Sequence, residues 1–164
     1  MLHIICAEQQ EADRLKIESK NVKIHVTGAG LFNVLRYPRI DLGPEDIILN
    51  IGYAGSNLFN PSDVFSVVTC KRFKPSKTIK EEKQYLFPFY FLGADCYPAD
   101  DFIESATGEL PLIDMELYYL ALMYPSIRSV KIVSDNLNYK QFKNANFEKS
   151  WELVNKAIRE LINE

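Results

Sequence analysis

The sequence has 164 residues, enough for one domain with a sizeable core, because domains usually contain about 100–150 residues. Hydrophobic residues make up 47% of it and charged residues 25%, as in ordinary globular proteins. The net charge of −3 provides no general attraction for nucleic acid, and no apolar run is long enough to span a membrane. We therefore expect neither nucleic acid nor a membrane as a partner.

The thiol and imidazole side chains predict no metal site. Cys6, Cys70 and Cys96 are odd in number and form no Cys-x-x-Cys pair, which is typical of buried or free thiols in a reducing cytosol. The two histidines, His3 and His25, lie in strand-like sequence and are expected to be structural. We therefore predict a cytoplasmic protein with no metal ion and no organic cofactor.

The first part of the chain is predicted to alternate between strands and short helices. Residues 2–7 are continuously apolar, which is typical of a strand buried on both faces of a parallel sheet. A helix is predicted over residues 8–18, and a second strand over Val22–Val26, before the glycine-containing turn 27–30. Pro38 shortens or interrupts any helix in the segment that follows.

The middle of the chain is predicted to be mostly strand. A buried strand covers residues 46–52, and a loop follows it at 53–56. Strands rich in Val, Phe and Tyr are predicted over residues 63–73 and 84–92, with a charged surface loop between them. A short strand is predicted over residues 101–103.

The last third of the chain completes an alternating pattern. Asp114 is expected to cap a helix that ends near Met123, and the final strand is expected to end at Asp135. Asn146 is the expected N-cap of a last helix, whose apolar residues recur at helical spacing. The pattern predicts a single α/β domain over residues 1–164, with three layers and a mixed, largely parallel central sheet flanked by helices.

Three carboxylates follow predicted strands. Glu11 comes after the first strand, Glu116 opens an apolar helix, and Asp135 ends the last strand. Because ligands of open α/β sheets bind beyond the carboxyl ends of the strands, these acids predict proton chemistry on a small polar ligand. Each acid also has a structural interpretation. Glu11 fits a solvated helix residue, Glu116 a first-turn acid that interacts with the helix dipole, and Asp135 a turn residue.

Seven short motifs in one linear order carry a family resemblance. They are ICAEQQEA (5–12), VTGAG (26–30), DIILNIGYAG (46–55), PSDVFSVV (61–68), ADDFIES (99–105), LIDMEL (112–117) and VKIVSDN (130–136). Together they resemble the purine nucleoside phosphorylase superfamily, and most closely its 5′-methylthioadenosine/S-adenosylhomocysteine nucleosidases. The resemblance runs from residue 2 to about residue 136 and implies a nucleoside phosphorylase-like fold.

The resemblance also implies a role for each matching residue. Glu11 matches the acid that positions and deprotonates the attacking water, and Asp135 matches the general acid that protonates N7 of the purine. Glu116 matches the carboxylate that binds the ribose hydroxyls. The other implied substrate-binding residues are Gly55, Ser134, Met115 beside the sugar, Phe102 stacked on the base, and Ile103, whose backbone faces the base.

The predicted reaction is hydrolysis of the N-ribosidic bond of a purine nucleoside, such as methylthioadenosine or S-adenosylhomocysteine, by a homodimer. Water is the predicted nucleophile, because phosphate would need cations around it and no matching arginine pair is evident. The alternatives are a nucleoside phosphorylase and a catalytically inactive nucleoside-binding relative. The chain is shorter than usual family members, and it has Glu8 and Tyr53 where the family has an apolar methionine and a small hydroxyl residue.

Overall fold

The computed structural model describes residues 1–71, 83–100, 103, 108–138, 140 and 145–163. The elements in these ranges are, in chain order, β1 (Leu2–Cys6), α1 (Gln9–Ala12), β2 (Val22–Val26), α2 (Leu31–Arg36), β3 (Ile47–Gly55), β4 (Val64–Lys71), β5 (Lys83–Tyr85), β6 (Gly93–Pro98), β7 (Leu112–Asp114), α3 (Leu117–Met123), β8 (Arg128–Asp135) and α4 (Glu148–Asn163). Two residues of the strand predicted at 101–103, including Phe102, lie outside the described residues.

All eight strands belong to one mixed sheet. β1 is parallel to β2 and β3, β3 is parallel to β8, and β6 is parallel to both β4 and β7. The antiparallel pairs are β3 with β7, β4 with β5 and β4 with β8. The strands β3, β8, β4, β6 and β7 thereby form a closed ring of neighbours. The predicted mixed, largely parallel sheet is confirmed.

Helices cover both faces of this sheet. Successive residues of a strand point to opposite faces, and in β1 the buried Ile4 packs in the core with α1 and α4, whereas Ile5 packs in the core with α2 and α3. The predicted three-layer arrangement is therefore confirmed. Within the part of the chain that the structure describes, no helix combines the length and the apolar character needed to cross a membrane.

The first predicted helix is shorter than expected. α1 ends at Ala12 and does not continue to residue 18. The chain beyond it packs against α4, because Leu15 is buried in the same core and the Lys16 N–H donates a 2.8 Å hydrogen bond to Asn155 Oδ1. Tertiary contacts thus replace the helical hydrogen bonds.

β3 is longer than expected. Residues 53–55, predicted as part of a loop, continue the parallel pairing with β8, with Tyr53 opposite Ile132 and Ala54 opposite Val133. β3 and β8 therefore end side by side at Gly55 and Asp135.

Only residues 84 and 85 of the aromatic strand predicted over residues 84–92 belong to a strand, so most of that prediction is wrong. β5 ends at Tyr85, and the chain up to Leu92 is irregular. Pro88 has no N–H group for a strand ladder, and the N–H of Phe89 donates a 2.9 Å hydrogen bond to Ser66 Oγ instead. The chain becomes regular again only in β6, an additional strand that begins at Gly93.

Asp114 is the last residue of β7 and not the first residue of a helix. α3 begins at Leu117 with Glu116 at the N-cap position, so the predicted cap at Asp114 lies two residues too early. Asp114 Oδ1 nevertheless accepts hydrogen bonds from the backbone N–H groups of Glu116 and Leu117 at the start of the helix. At α4, Asn146 Oδ1 accepts a 3.0 Å hydrogen bond from the Glu148 N–H, as expected of an N-terminal cap.

Candidate active site

A cavity of about 230 Å³ lies where β1, β3, β7 and β8 end. This is the edge at which an α/β sheet is expected to bind its ligand. The structure brings seven of the eight predicted site residues to its wall, namely Glu11, Gly55, Ile103, Met115, Glu116, Ser134 and Asp135. Phe102, the eighth, lies outside the described residues.

Glu11 is a buried carboxylate held by backbone donors. Its Oε2 accepts hydrogen bonds from the N–H groups of Ala7 at 2.9 Å and Glu8 at 3.0 Å, and its Oε1 accepts one from the N–H of Tyr53 at 2.9 Å. Burial raises the pKa of Glu11, and Lys131 and the backbone donors oppose that rise. These three donors fix the orientation of the side chain. A carboxylate accepts about four hydrogen bonds, so Glu11 can accept about one more, for example from a water molecule.

Gly52 makes room for this carboxylate. A Cβ atom on Gly52 would lie 2.8 Å from Glu11 Oε1, closer than non-bonded atoms tolerate. The glycine in the predicted strand 46–52 is therefore needed for the close approach of a functional side chain, not for a special backbone conformation.

We expect Gly52→Ala to displace the Glu11 carboxylate from its three backbone donors. Leaving buried donors unpaired costs about 1–3 kcal/mol, so the free energy of unfolding should fall by this order. Chemical denaturation of Gly52→Ala, Glu11→Ala and the double variant provides the measurement. In the Glu11→Ala background, Gly52→Ala should lower the free energy of unfolding only slightly, because the carboxylate that it displaces is absent. An equal loss in the wild-type and Glu11→Ala backgrounds would contradict the contact between Gly52 and Glu11.

Asp135 is almost fully buried at the end of β8, with 1% of its surface exposed. Its Oδ2 accepts a 2.5 Å hydrogen bond from Ser134 Oγ, and its Oδ1 accepts one from the Asn138 N–H at 3.1 Å. A Cβ atom on Gly55 would lie 3.7 Å from Oδ1, so the carboxyl group packs against the glycine that ends β3. Ser134 therefore orients the acid next to it as well as lining the cavity.

Glu116 is the third of the predicted site carboxylates on the cavity wall. It follows β7, and its Oε1 accepts a 2.5 Å hydrogen bond from the N–H of Gly30, which has a φ of 85°. Burial and the neighbouring Asp114 raise the pKa of Glu116 from 4.5 to about 8, against the effect of Lys131. Glu116 in the free protein therefore holds a proton near neutral pH, and hydrogen bonds donated to its carboxylate favour the ionised form.

This raised pKa predicts a pH-dependent stability. Between about pH 4.5 and 8 the native state binds the Glu116 proton more tightly than the unfolded state does, so the stability contributed by this proton is lost as pH rises through that range. Each unit of pKa difference is worth about 1.4 kcal/mol. Glu116→Gln mimics the protonated form, and its melting temperature should exceed that of the wild type by several degrees at alkaline pH and by much less at acidic pH. Equal differences at both pH values would contradict the raised pKa.

Lys131 is a site-adjacent residue that the sequence analysis missed. It lies in the middle of β8, only 2% exposed, and its Nζ forms an ion pair with Asp114 Oδ2. The available signal was one lysine within the otherwise apolar run Val130–Val133, since a lysine on a strand buried on both faces needs a charged partner.

Tyr53 turns its side chain away from the carboxylates. Its hydroxyl oxygen accepts a 2.7 Å hydrogen bond from Trp151 Nε1, and its ring packs against Phe147 with ring centroids 4.9 Å apart. The residue still contributes to the cavity wall, and its N–H is one of the donors to Glu11. The Tyr53 side chain is therefore held by Trp151 of α4 and by Phe147, which precedes that helix.

The described residues contain no group of three or more His, Cys, Asp and Glu side chains suited to hold a metal ion. Neither histidine lines the cavity, and the rings of His3 and His25 stack on one another with centroids 5.3 Å apart. All three cysteines are buried free thiols, as expected from their number and spacing.

No protein-family model and no curated protein matches the sequence. Solved structures do match. A 5′-methylthioadenosine/S-adenosylhomocysteine nucleosidase (MTAN) from Chlamydia trachomatis superposes with a TM-score of 0.79 at 19% identity, over 99% of this chain and 96% of that chain. The 5′-methylthioadenosine/S-adenosylhomocysteine nucleosidase and the futalosine hydrolase of Helicobacter pylori each match with a TM-score of 0.72 at 13% identity, over 99% of this chain and 97% of theirs.

The chain has the nucleosidase fold. The resemblance found in the sequence motifs is thus confirmed for the architecture of the whole described chain. Within the nucleosidase fold, the three predicted site carboxylates come from three separate segments: Glu11 from α1, Glu116 from the turn before α3, and Asp135 from β8.

Proposed function

We propose that this protein is a hydrolase that cleaves the N-ribosidic bond of a purine nucleoside. The single observation that supports this most is the convergence of Glu11, Glu116 and Asp135 on one cavity at the carboxyl ends of the strands. N-glycosidic cleavage needs three functions that carboxyl groups supply: protonation of the leaving base, activation of water, and recognition of the ribose diol.

The proposed reaction assigns one of these functions to each acid. Asp135 donates its proton to N7 of the purine as the bond between the base and C1′ of the ribose breaks. A water molecule held by Glu11 attacks C1′ from the opposite face, forming the new C–O bond, and its proton passes to Glu11. Glu116 accepts hydrogen bonds from the ribose hydroxyls, with Met115 against the sugar and Gly55 and Ser134 beside Asp135.

Phe102 and Ile103 are proposed to contact the base, Phe102 by stacking and Ile103 through its backbone. Ile103 supports this because it lines the same cavity as Asp135.

The charge of the cavity wall supports water over phosphate as the nucleophile. Five acids line the cavity, Glu8, Glu11, Asp114, Glu116 and Asp135, and the described part of the wall includes no Lys, Arg or His. An attacking phosphate would find no cationic side chain in this part of the wall to bind it, whereas a water molecule needs none.

The structural neighbours support the choice of substrate class. One C. trachomatis MTAN structure was determined with MTA bound and another with adenine, and an H. pylori neighbour is a futalosine hydrolase. We propose methylthioadenosine and S-adenosylhomocysteine as the first substrates to test, with futalosine, adenosine and inosine as comparisons.

The test is the release of free base from each nucleoside, measured by chromatography with and without added phosphate. We expect base release without phosphate, with free ribose or a ribose derivative as the other product. A rate that depends on phosphate would indicate a phosphorylase. Ligand-induced thermal stabilisation without base release at stoichiometric enzyme would indicate an inactive nucleoside-binding protein.

We also propose that the protein is a cytoplasmic homodimer. Large apolar side chains are exposed on two neighbouring helices, Phe32 and Leu35 on α2 and Leu122 on α3, and a second copy would remove them from water. Light scattering on the purified protein tests the dimer. A monomer at micromolar concentration would contradict it.

A further inference from the structure

Lys131 is a charged residue in the interior of the protein that the proposed reaction does not use. Its side chain and that of Asp114 are 2% and 1% exposed, and the two form an ion pair. A buried lysine and a buried aspartate both lose hydration, so such a pair is rarely a source of stability by itself.

The ion pair is linked to Glu116 through the backbone. Asp114 binds Lys131 with one carboxylate oxygen and the N–H groups of Glu116 and Leu117 with the other. Lys131 thus fixes the Asp114 carboxylate, and this carboxylate in turn fixes the backbone of Glu116. A displacement of Asp114 would move Glu116 relative to the cavity.

Lys131 is also close to Glu11. In the register of β3 and β8, Lys131 lies opposite Gly52, the glycine against which Glu11 Oε1 packs. The ammonium group therefore lies behind the wall that bears both Glu11 and Glu116, without being part of the cavity lining.

The charges around Lys131 are unbalanced. The groups that interact with it are the carboxyls of Asp114, Glu116 and Glu11, together with the thiols of Cys6 and Cys96. Burial raises the pKa of the Cys6 thiol. The pKa of the Cys96 thiol is raised mainly by a hydrogen bond with Cys70 and secondly by burial, so both thiols are neutral at physiological pH. Three acids therefore share the charge of one lysine.

We propose that Lys131 is a positioning residue of the nucleosidase site. Its ammonium group pairs with Asp114 and lies near Glu11 on the far side of Gly52, and it thereby allows Glu11 and Glu116 to be anionic together on either side of one ribose. This inference rests on the proposed function. It concerns the balance of charge under the site and assigns Lys131 no contact with the substrate.

The electrostatic effects act in the required directions. Burial by itself lowers the pKa of Lys131, but the attraction of Asp114, Glu116 and Glu11 outweighs burial and raises the pKa above its ordinary value, so Lys131 stays charged. In return, Lys131 lowers the pKa of Glu11 and of Glu116, against burial, which raises both. Removing the ammonium group should therefore leave both acids protonated to higher pH.

The first experiment is the pH dependence of kcat/KM for base release, which reports ionisations of the free enzyme. In Lys131→Met we expect a loss of about tenfold or more at neutral pH and a shift of the ascending limb to higher pH by about one unit. The separate variant Lys131→Arg keeps the positive charge and should therefore retain the wild-type pH profile of kcat/KM. The matched control is Lys71→Met, which removes a lysine from an ion pair with Asp95 on β6, away from the cavity.

The second experiment does not depend on turnover. In protein with isotope-labelled glutamate, NMR follows the titration of the Glu116 carboxyl, assigned by its loss in Glu116→Gln. Its apparent pKa, about 8 in the wild type, should rise by about one unit in Lys131→Met. Because an unpaired buried Asp114 can prevent folding, the variant Asp114→Asn with Lys131→Met serves as a neutral replacement of the pair.

The outcomes separate this inference from the proposed function. No turnover by the wild type, with the titration shift present, would refute the proposed hydrolysis and leave the electrostatic role of Lys131 supported. Turnover by the wild type, with an unchanged pH profile and an unchanged Glu116 titration in folded Lys131 variants, would overturn the positioning role. A lower melting temperature alone would show that Lys131 is structural only.

Discussion

Asp135→Asn should lower kcat for purine nucleosides by about 10²–10⁴-fold while changing KM little. Asparagine has nearly the same shape and can still accept the hydrogen bond from the Asn138 N–H. It cannot transfer a proton to N7 of the base, because an amide N–H is far too weak an acid. The loss should therefore appear in the chemical step, as measured by steady-state kinetics of base release.

A substrate with a better leaving group tests this role directly. Nitrophenyl riboside releases a phenolate that is stable without protonation, so Asp135→Asn should hydrolyse it at nearly the wild-type rate. The exposed Asp41 provides the matched control, and Asp41→Asn should behave as the wild type with both substrates. If Asp135→Asn were equally defective with the activated riboside, Asp135 would not be the acid that protonates the base.

Glu11→Gln should lower kcat by a similar factor of about 10²–10⁴ with every substrate, including the activated riboside. Glu11 is proposed to take the proton of the attacking water, a step that both kinds of leaving group require. Glutamine also places its NH₂ group against backbone donors, either those of Ala7 and Glu8 or that of Tyr53. We therefore expect an additional loss of about 1–3 kcal/mol in the free energy of unfolding.

Glu11→Ala separates the chemical role of the acid from its structural role. The alanine leaves a space in which a small carboxylate can bind, so added formate should restore part of the rate. Glu109→Gln, at an exposed position, is the matched control and should need no rescue. A wild-type rate in Glu11→Gln would assign water activation to another group.

The two substitutions together distinguish the acid from the base. With the activated riboside, the Asp135 variant should have nearly the wild-type rate and the Glu11 variant a rate about 10²–10⁴-fold lower. With methylthioadenosine both variants should be slower than the wild type by about this factor. The reverse pattern would exchange the proposed roles of the two carboxylates.

Much of the fold could be predicted from the sequence, because local hydrophobic patterns report burial. The apolar run of β1, the mostly apolar run of β8 and the helical spacing of α4 indicate elements packed on a sheet, and the structure contains them. The failures occurred where long-range contacts decide the local structure. Leu15 and Lys16 pack on α4 where α1 was expected to continue, and the N–H of Phe89, after Pro88, donates its hydrogen bond to the side chain of Ser66 and not to a neighbouring strand.

The candidate site was predictable to the extent that motif order reports spatial arrangement. Seven of its eight predicted residues line one cavity, although they come from five distant parts of the chain. Lys131 was not predicted, because the sequence indicates that a lysine in this buried strand needs a charged partner but does not identify that partner. Only the closed ring of strands places Asp114 of β7 against Lys131 of β8.

The sequence by itself determined the class of fold, the buried strands and the presence of acids after their carboxyl ends. The tertiary structure decided what those acids can do. Glu11 is held by three backbone donors and packs against Gly52, and Glu116 has a pKa of about 8 because of burial beside Asp114. The physical reason is that hydrophobic patterns are local, whereas desolvation and charge interactions depend on groups far apart in the chain.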